Sequence, residues 1–120
     1  MIHEFNEIII KLDTLLPQLS DFITQFNIFI VEKNVNVITE ASGTLSLDVP
    51  ASMPDDQAEF ISKKVRILDR LIITRSREID DLMQTGLKLN EELKGQNPDI
   101  SCKILEKADA FKRLSDSYRH

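Results

Sequence analysis

The first thirty residues carry an apolar spacing that leaves few folds open to the chain. Ile2, Phe5, Ile9, Leu12, Leu16, Leu19, Ile23, Phe26 and Ile30 follow one another in alternating steps of three and four. Such spacing holds one line of side chains on a single helix face, here for about four heptads. A second line, Ile8, Leu15, Phe22 and Phe29, recurs every seven residues beside it. The combined face is wider than a two-stranded coiled coil needs and suits a three- or four-helix bundle. Pro17 falls inside the pattern. It has no N–H and its ring crowds the preceding turn, so it is expected to kink or divide the helix. The register continues across it, so both halves bury the same face.

A second seam runs through Ile61, Val65, Leu68, Ile72, Ile79, Leu82, Leu89 and Leu93, interrupted by Arg75 and Gly86. Ser52 with Asp55 three residues later resembles a capping box, and Pro54, Asp55 and Asp56 suit a first helical turn. Lys94-Gly95 followed by Asn97-Pro98 is a stop signal. The helix between these marks would be about 60 Å long at 1.5 Å per residue. A compact monomer cannot easily cover such a rod, which points to an obligate partner. A last helix opens at Asn97-Pro98-Asp99, with Ile100, Ile104, Ala108, Phe111 and Leu114 on one side. Arg119 and His120 put positive charge at its C-terminus, where the helix dipole favours it.

Between the two seams the period changes. Val35 and Val37 alternate with polar residues, as do Leu45, Leu47 and Val49, and Ala41-Ser42-Gly43 separates the two runs. This predicts either a short β-hairpin or a loop, ended by Pro50. The expected fold class is therefore all-α: an elongated helical bundle or coiled coil forming a single unit over residues 1–120. Its parts are an amphipathic helix over 1–33 kinked near Pro17, a hairpin or loop over 34–53, a long helix over 54–94 and a C-terminal helix over 98–118.

Composition narrows the function classes. Three glycines and four prolines are too few for the many turns of a sandwich or barrel. The single cysteine, Cys102, rules out an internal disulfide and fits a reducing compartment. Glu4 and Glu7 in the opening amphipathic stretch speak against a signal peptide. The longest apolar run, Ile28 to Val31, falls far short of the roughly 20 residues that cross a bilayer. A soluble intracellular protein is expected. The net charge of −5 is unevenly placed. Residues 1–53 hold only Lys11 and Lys33 against seven acidic groups, and the remainder sums to zero. An acidic first half disfavours nucleic acid as the main ligand.

Groups with catalytic or metal-binding potential are scattered. His3 and His120, the only histidines, lie at opposite ends of the chain, and a triad or zinc site would need them together with other ligands. Cys102 has no nearby histidine to activate it and reads as a helix-face residue. The pairs Asp55-Asp56 and Asp80-Asp81 are adjacent on helices, so their carboxylates diverge by about 100°. No glycine-rich phosphate loop is present. The chain is expected to be no enzyme and to need no cofactor, metal or small-molecule substrate. A basic cluster, Lys63, Lys64, Arg66, Arg70, Arg75 and Arg77, is opposed only by Asp69. Its best use is an acidic surface, in the chain itself or on a partner, because no aromatic residues interleave the charges as single-strand binding would want. Arg75 stands apart because it falls on the apolar seam, where a cation often fixes register or partner choice.

Residues 71–85 read Leu-Ile-Ile-Thr-Arg-Ser-Arg-Glu-Ile-Asp-Asp-Leu-Met-Gln-Thr. In this stretch Arg75, Ser76, Arg77, Glu78, Ile79, Asp80, Leu82 and Met83 match without a gap a pattern of basic, small hydroxyl and polar residues. The pattern continues with an acidic or amide residue, Ile-Asp and a nearby apolar pair. It resembles the central signature of the Mediator complex subunit 21 family, and Pro54-Asp55-Asp56 is similar to that family's helix start. The resemblance implies a nuclear subunit without enzymatic activity, whose long helices pair with those of Mediator subunit 7. That pair forms a hinge-like part of the middle module, which links transcription factors to RNA polymerase II.

The expected function is that of a non-catalytic helical subunit of a multiprotein assembly, a Mediator-type coregulator held by coiled-coil contacts. The expected partner interface is Ile2, Phe5, Ile9, Leu12, Leu16, Leu19, Ile23 and Phe26 on the first helix, with Ile61, Val65, Leu68, Ile72, Arg75, Ile79, Leu82 and Leu89 on the second. Replacing Leu12 or Leu68 by Asp is expected to abolish partner binding. Lys63, Lys64, Arg66, Arg70 and Arg77 form the candidate patch for an anion or acidic partner. The alternatives are a helical chaperone or assembly factor, whose helix–hairpin–helix order is similar to that of a prefoldin subunit, and, behind it, nucleic-acid binding through residues 63–77.

Overall fold

Both long amphipathic segments are uninterrupted helices in the computed structural model, which describes residues 1–96 and 99–118. The element order is α1 (Ile2–Glu32), β1 (Asn36–Thr39), β2 (Leu45–Asp48), α2 (Asp55–Leu93) and α3 (Asp99–Ser117). Asn97, Pro98, Arg119, His120 and the side chain of Ile100 lie outside the described residues, and with them the Asn97-Pro98 signal and the terminal Arg119-His120 charge. Among the described residues no helix is long and apolar enough to cross a membrane.

Pro17 does not divide α1. Its ring is exposed while Leu16 and Leu19 on either side stay buried, so the missing hydrogen bond falls on the solvent side and the seam is kept. The helix ends through Asn34, whose φ of 55° places it in the left-handed region. Beyond it the Val35 N–H donates to the Ile30 carbonyl, a six-residue closure that satisfies an orphan carbonyl and turns the buried Val35 into the core.

The segment expected as a hairpin or a loop is a two-stranded antiparallel hairpin. Val37 pairs with Leu47 and Thr39 with Leu45. Gly43 has a φ of +86° in the connection Ala41-Ser42-Gly43, a left-handed position that a three-residue hairpin loop requires and that glycine adopts without strain. Val35, Val37 and Leu45 face inward, with Leu47 and Val49 packed behind them. That cover supplies the support an isolated hairpin lacks.

Ser52 does not cap α2. It sits in a turn ahead of Pro54, which is the extended residue before the helix, and no side-chain cap bond forms. Asp55 is the first helical residue rather than the third, so it cannot reach back as a capping box demands. Asp55 and Asp56 instead place negative charge in the first turn.

The three helices form an elongated antiparallel bundle, with overall extents of 63 × 25 × 17 Å. Ile8, Gly86 and Ile104 meet at one level, Asp13 and Lys107 at the next, and Phe26, Asp69 and Tyr118 towards the other end. The helix α3 thus runs parallel to α1 and antiparallel to α2. Where α3 stops, the hairpin continues the third layer: its tip at Gly43, Thr44 and Leu45 faces Arg66, Asp69 and Ile73 across an open groove.

The long rod of α2 is therefore covered from within the chain, by α1, α3 and the hairpin together, and its length alone does not require a partner. The buried line of α2 also differs from the expected one. It runs Ile61, Val65, Leu68, Ile72, Ile79, Met83, Gly86, Asn90 and Leu93. Gly86 is a member of the seam rather than an interruption. Leu82 and Leu89, which the sequence spacing places on the seam, lie beside it half-buried.

Candidate interaction surfaces

The core decides what is left for contact with other molecules. Phe5, Leu12, Leu16, Leu19, Ile23 and Phe26 of α1 are buried against Ile61, Val65, Leu68, Ile72 and Ile79 of α2 within the same chain. These residues were expected at a partner interface. The hydrophobic face that was to drive association instead drives folding, because removal from water has the same worth whether the cover comes from the chain or from a partner. Of the other expected interface residues, Ile2 is exposed, Ile9 packs at the core edge, and Arg75, Leu82 and Leu89 are half-buried.

The second apolar line of α1 explains the remaining surface. Leu15 and Phe22 are half-buried rather than buried, on the side of α1 away from α3. A groove opens here between α1 and α2, lined by Ile10, Lys11, Thr14 and Leu15 on one wall and by Glu78, Asp81 and Leu82 on the other. Its volume is about 570 Å³. Helical spacing extends the α2 wall in both directions, to Leu71 and Ile67 one way and to Leu89 the other. Ile67 is 62% exposed and Leu71 37%. Arg75 sits at the lip. Its Nη1 donates to Glu78 Oε1 at 2.8 Å, and its Nε is buried without a hydrogen-bond partner. The seam cation is thus tied to its own helix, next to the groove.

The basic cluster does not act as one patch. Lys63 pairs with Glu59 at 3.4 Å. Lys64 lies 4.6 Å over the Phe29 ring, a cation–π contact that covers the end of the α1 face. Arg66 Nε donates to Ser62 Oγ at 3.2 Å. Arg66, Arg70 and Arg77 share the flank of α2 that meets the hairpin tip, almost opposite the Leu71 side, and line a second groove of about 510 Å³.

His3 and Cys102 lie on the surface, and His3 Nε2 is 3.1 Å from Glu7 Oε1 on α1. Among the described residues no three of His, Cys, Asp and Glu come together as a metal site needs. Tyr118 is the exception in character. Its hydroxyl donates to Asp69 Oδ1 and its ring meets Phe26 edge-on at 4.9 Å. Burial, and then the Asp69 carboxylate, push its phenol far above its ordinary range. Sequence reasoning passed over Tyr118 and Asn90, since a lone polar residue on a helix carries no sign that another element will cover it.

Comparison of the chain with family models, curated proteins and solved structures finds no match.

Proposed function

We propose that the chain is a non-catalytic helical subunit of a multiprotein assembly, of the kind found in Mediator-type coregulators of RNA polymerase II transcription, and that it works in the nucleus. The observation that carries this reading is the α1–α2 groove, an apolar channel open to solvent along a bundle whose own seams are already filled. Ile67, Leu71, Glu78, Leu82 and Leu89 recur at helical spacing for about 33 Å of α2. An amphipathic helix of a partner would lie along that wall and against Leu15 and Phe22, completing a four-helix arrangement. Subunit 7 would be that partner within Mediator. The stretch that resembles Mediator subunit 21 supplies Leu71, Glu78 and Leu82 to this wall, so the resemblance and the open surface coincide.

The test is a native pull-down of the tagged chain from its own cells, read by mass spectrometry, beside an Ile67→Asp, Leu71→Asp double variant. Both substituted positions are exposed, so the variant is expected to keep its helical circular dichroism. Recovery of Mediator subunits by the parent and their loss with the variant support the proposal. A different fixed set of proteins, lost in the same way, keeps the groove and discards the Mediator assignment. Equal recovery by parent and variant discards the groove.

A further inference from the structure

The basic groove beside the hairpin tip is a separate surface from the α1–α2 channel. Arg66, Arg70 and Arg77 stand on one flank of α2, spread over about 16 Å of helix, with Ile73 and Thr74 between them and Thr44 and Leu45 as the facing wall. Asp69, also in this groove, has its carboxylate engaged by the Tyr118 hydroxyl. Arg66 is partly held by Ser62. Among the described residues Arg70 and Arg77 form neither an ion pair nor a side-chain hydrogen bond. Two guanidinium groups therefore face an open groove with their donors free, beside an isoleucine that is 38% exposed.

We propose that this groove binds a short acidic segment of a partner protein, with carboxylates on Arg70 and Arg77 and an apolar side chain on Ile73. Guanidinium groups recognise carboxylates through two parallel N–H···O bonds, which gives geometric selection as well as charge attraction. The surroundings choose the partner class. Glu40 stands at the hairpin turn beside the groove, and Asp80 and Asp81 follow on the same stretch of α2. The whole chain carries −5. A long polyanion such as nucleic acid, or an extended anionic membrane, would meet these acidic neighbours as soon as it left the three arginines. A segment of four or five extended residues, at about 3.3 Å each, fits the arginine span and avoids them.

The full chain would be titrated against a fluorescein-labelled Asp-Glu-Leu-Asp-Glu peptide, followed by fluorescence anisotropy at low and high salt. Binding is expected to weaken with added salt, and an Arg70→Ala, Arg77→Ala variant is expected to lose about tenfold or more in affinity. Arg70→Lys with Arg77→Lys should lose less, because charge is kept while the paired geometry is lost. Ile73→Ser should weaken binding to the peptide, and Lys112→Glu on exposed α3 surface should leave it unchanged. Circular dichroism of each variant confirms that these exposed changes leave the helices intact. Failure of the peptide to bind, or equal binding by the double alanine variant, overturns the proposal. So does tighter, arginine-dependent binding of single-stranded DNA or of phosphatidylserine vesicles than of the peptide. An uncharged Ile67→Ser, Leu71→Ser variant, which removes the apolar wall without adding carboxylates beside Arg66 and Arg70, is expected to bind the peptide as the parent does, so the two readings fail separately.

Discussion

Gly86 of α2 faces Ile104 of α3 so closely that a Cβ at position 86 would lie 2.7 Å from Ile104 Cδ1. The same Cβ would lie 3.3 Å from Ile8 Cγ2 of α1. The absence of a side chain is what lets three helices share this level of the bundle. Glycine in a helix interior costs about 1 kcal/mol relative to alanine, and here that cost is offset by close approach.

Gly86→Ala sets these terms against each other. Helix propensity gains about 1 kcal/mol, while forcing a fully buried Ile104 out of its rotamer costs about 1–3 kcal/mol. Net destabilisation of about 1 kcal/mol is expected. Ile104→Val removes the offending Cδ1, so the double variant should recover more than the sum of the single effects allows. Urea unfolding of the four proteins measures this coupling, and simple additivity would show that the approach is not tight.

Tyr118→Phe keeps the edge-on contact with Phe26 and removes the hydroxyl bond to Asp69. A loss of about 1 kcal/mol is expected near neutral pH. The phenol is raised in the folded chain relative to its unfolded value of about 10. Its contribution is therefore complete below about pH 10 and declines above it, as the unfolded chain ionises first. The stability gap between parent and variant should stay level from pH 6 to about 9 and shrink above 10. A gap that grows at alkaline pH would contradict the raised phenol.

Asn90 is 7% exposed and its Oδ1 has no hydrogen-bond partner. An unsatisfied buried carbonyl costs about 1–3 kcal/mol, and leucine has the same branched shape with an equal number of side-chain heavy atoms. Asn90→Leu is expected to raise the midpoint of thermal unfolding by roughly 3–5 °C. An unchanged or lower midpoint would mean that the amide meets a partner such as water in solution.

The hydrophobic period made the helices and their limits legible, because a seam of threes and fours survives any detail of packing. Val35, Val37, Leu45 and Gly43 likewise carried the hairpin as one of two open readings. What covers a seam is another matter. Leu12 reads the same whether α2 of its own chain or a partner helix lies over it, and only the three-dimensional path of α3 and the hairpin distinguishes the two. Gly86 reads as a gap because a small residue contributes nothing to a periodic count, although it marks a close approach of three helices. The basic residues 63–77 looked like one cluster in sequence. Successive helical positions turn by about 100°, which sends Lys64 over Phe29 and leaves Arg66, Arg70 and Arg77 on another flank.

The consequence for mutagenesis is a division between core positions and those of the proposed docking groove. Leu12 is fully buried and Leu68 nearly so. Aspartate at either would place a charge in the core of the chain itself, at a cost of several kcal/mol. With a total stability of about 5–15 kcal/mol for a domain of this size, Leu12→Asp is expected to abolish most of the cooperative thermal transition. Its loss of partner binding would then report unfolding. Ile67→Asp and Leu71→Asp add charge on the exposed groove wall, where substitutions usually shift stability by less than about 0.5 kcal/mol. Thermal melts followed by circular dichroism should show a collapsed transition for Leu12→Asp and a near-parental one for the groove variants. If the groove variants melt as badly as Leu12→Asp, the wall is part of the core and the docking surface must be sought elsewhere on the bundle.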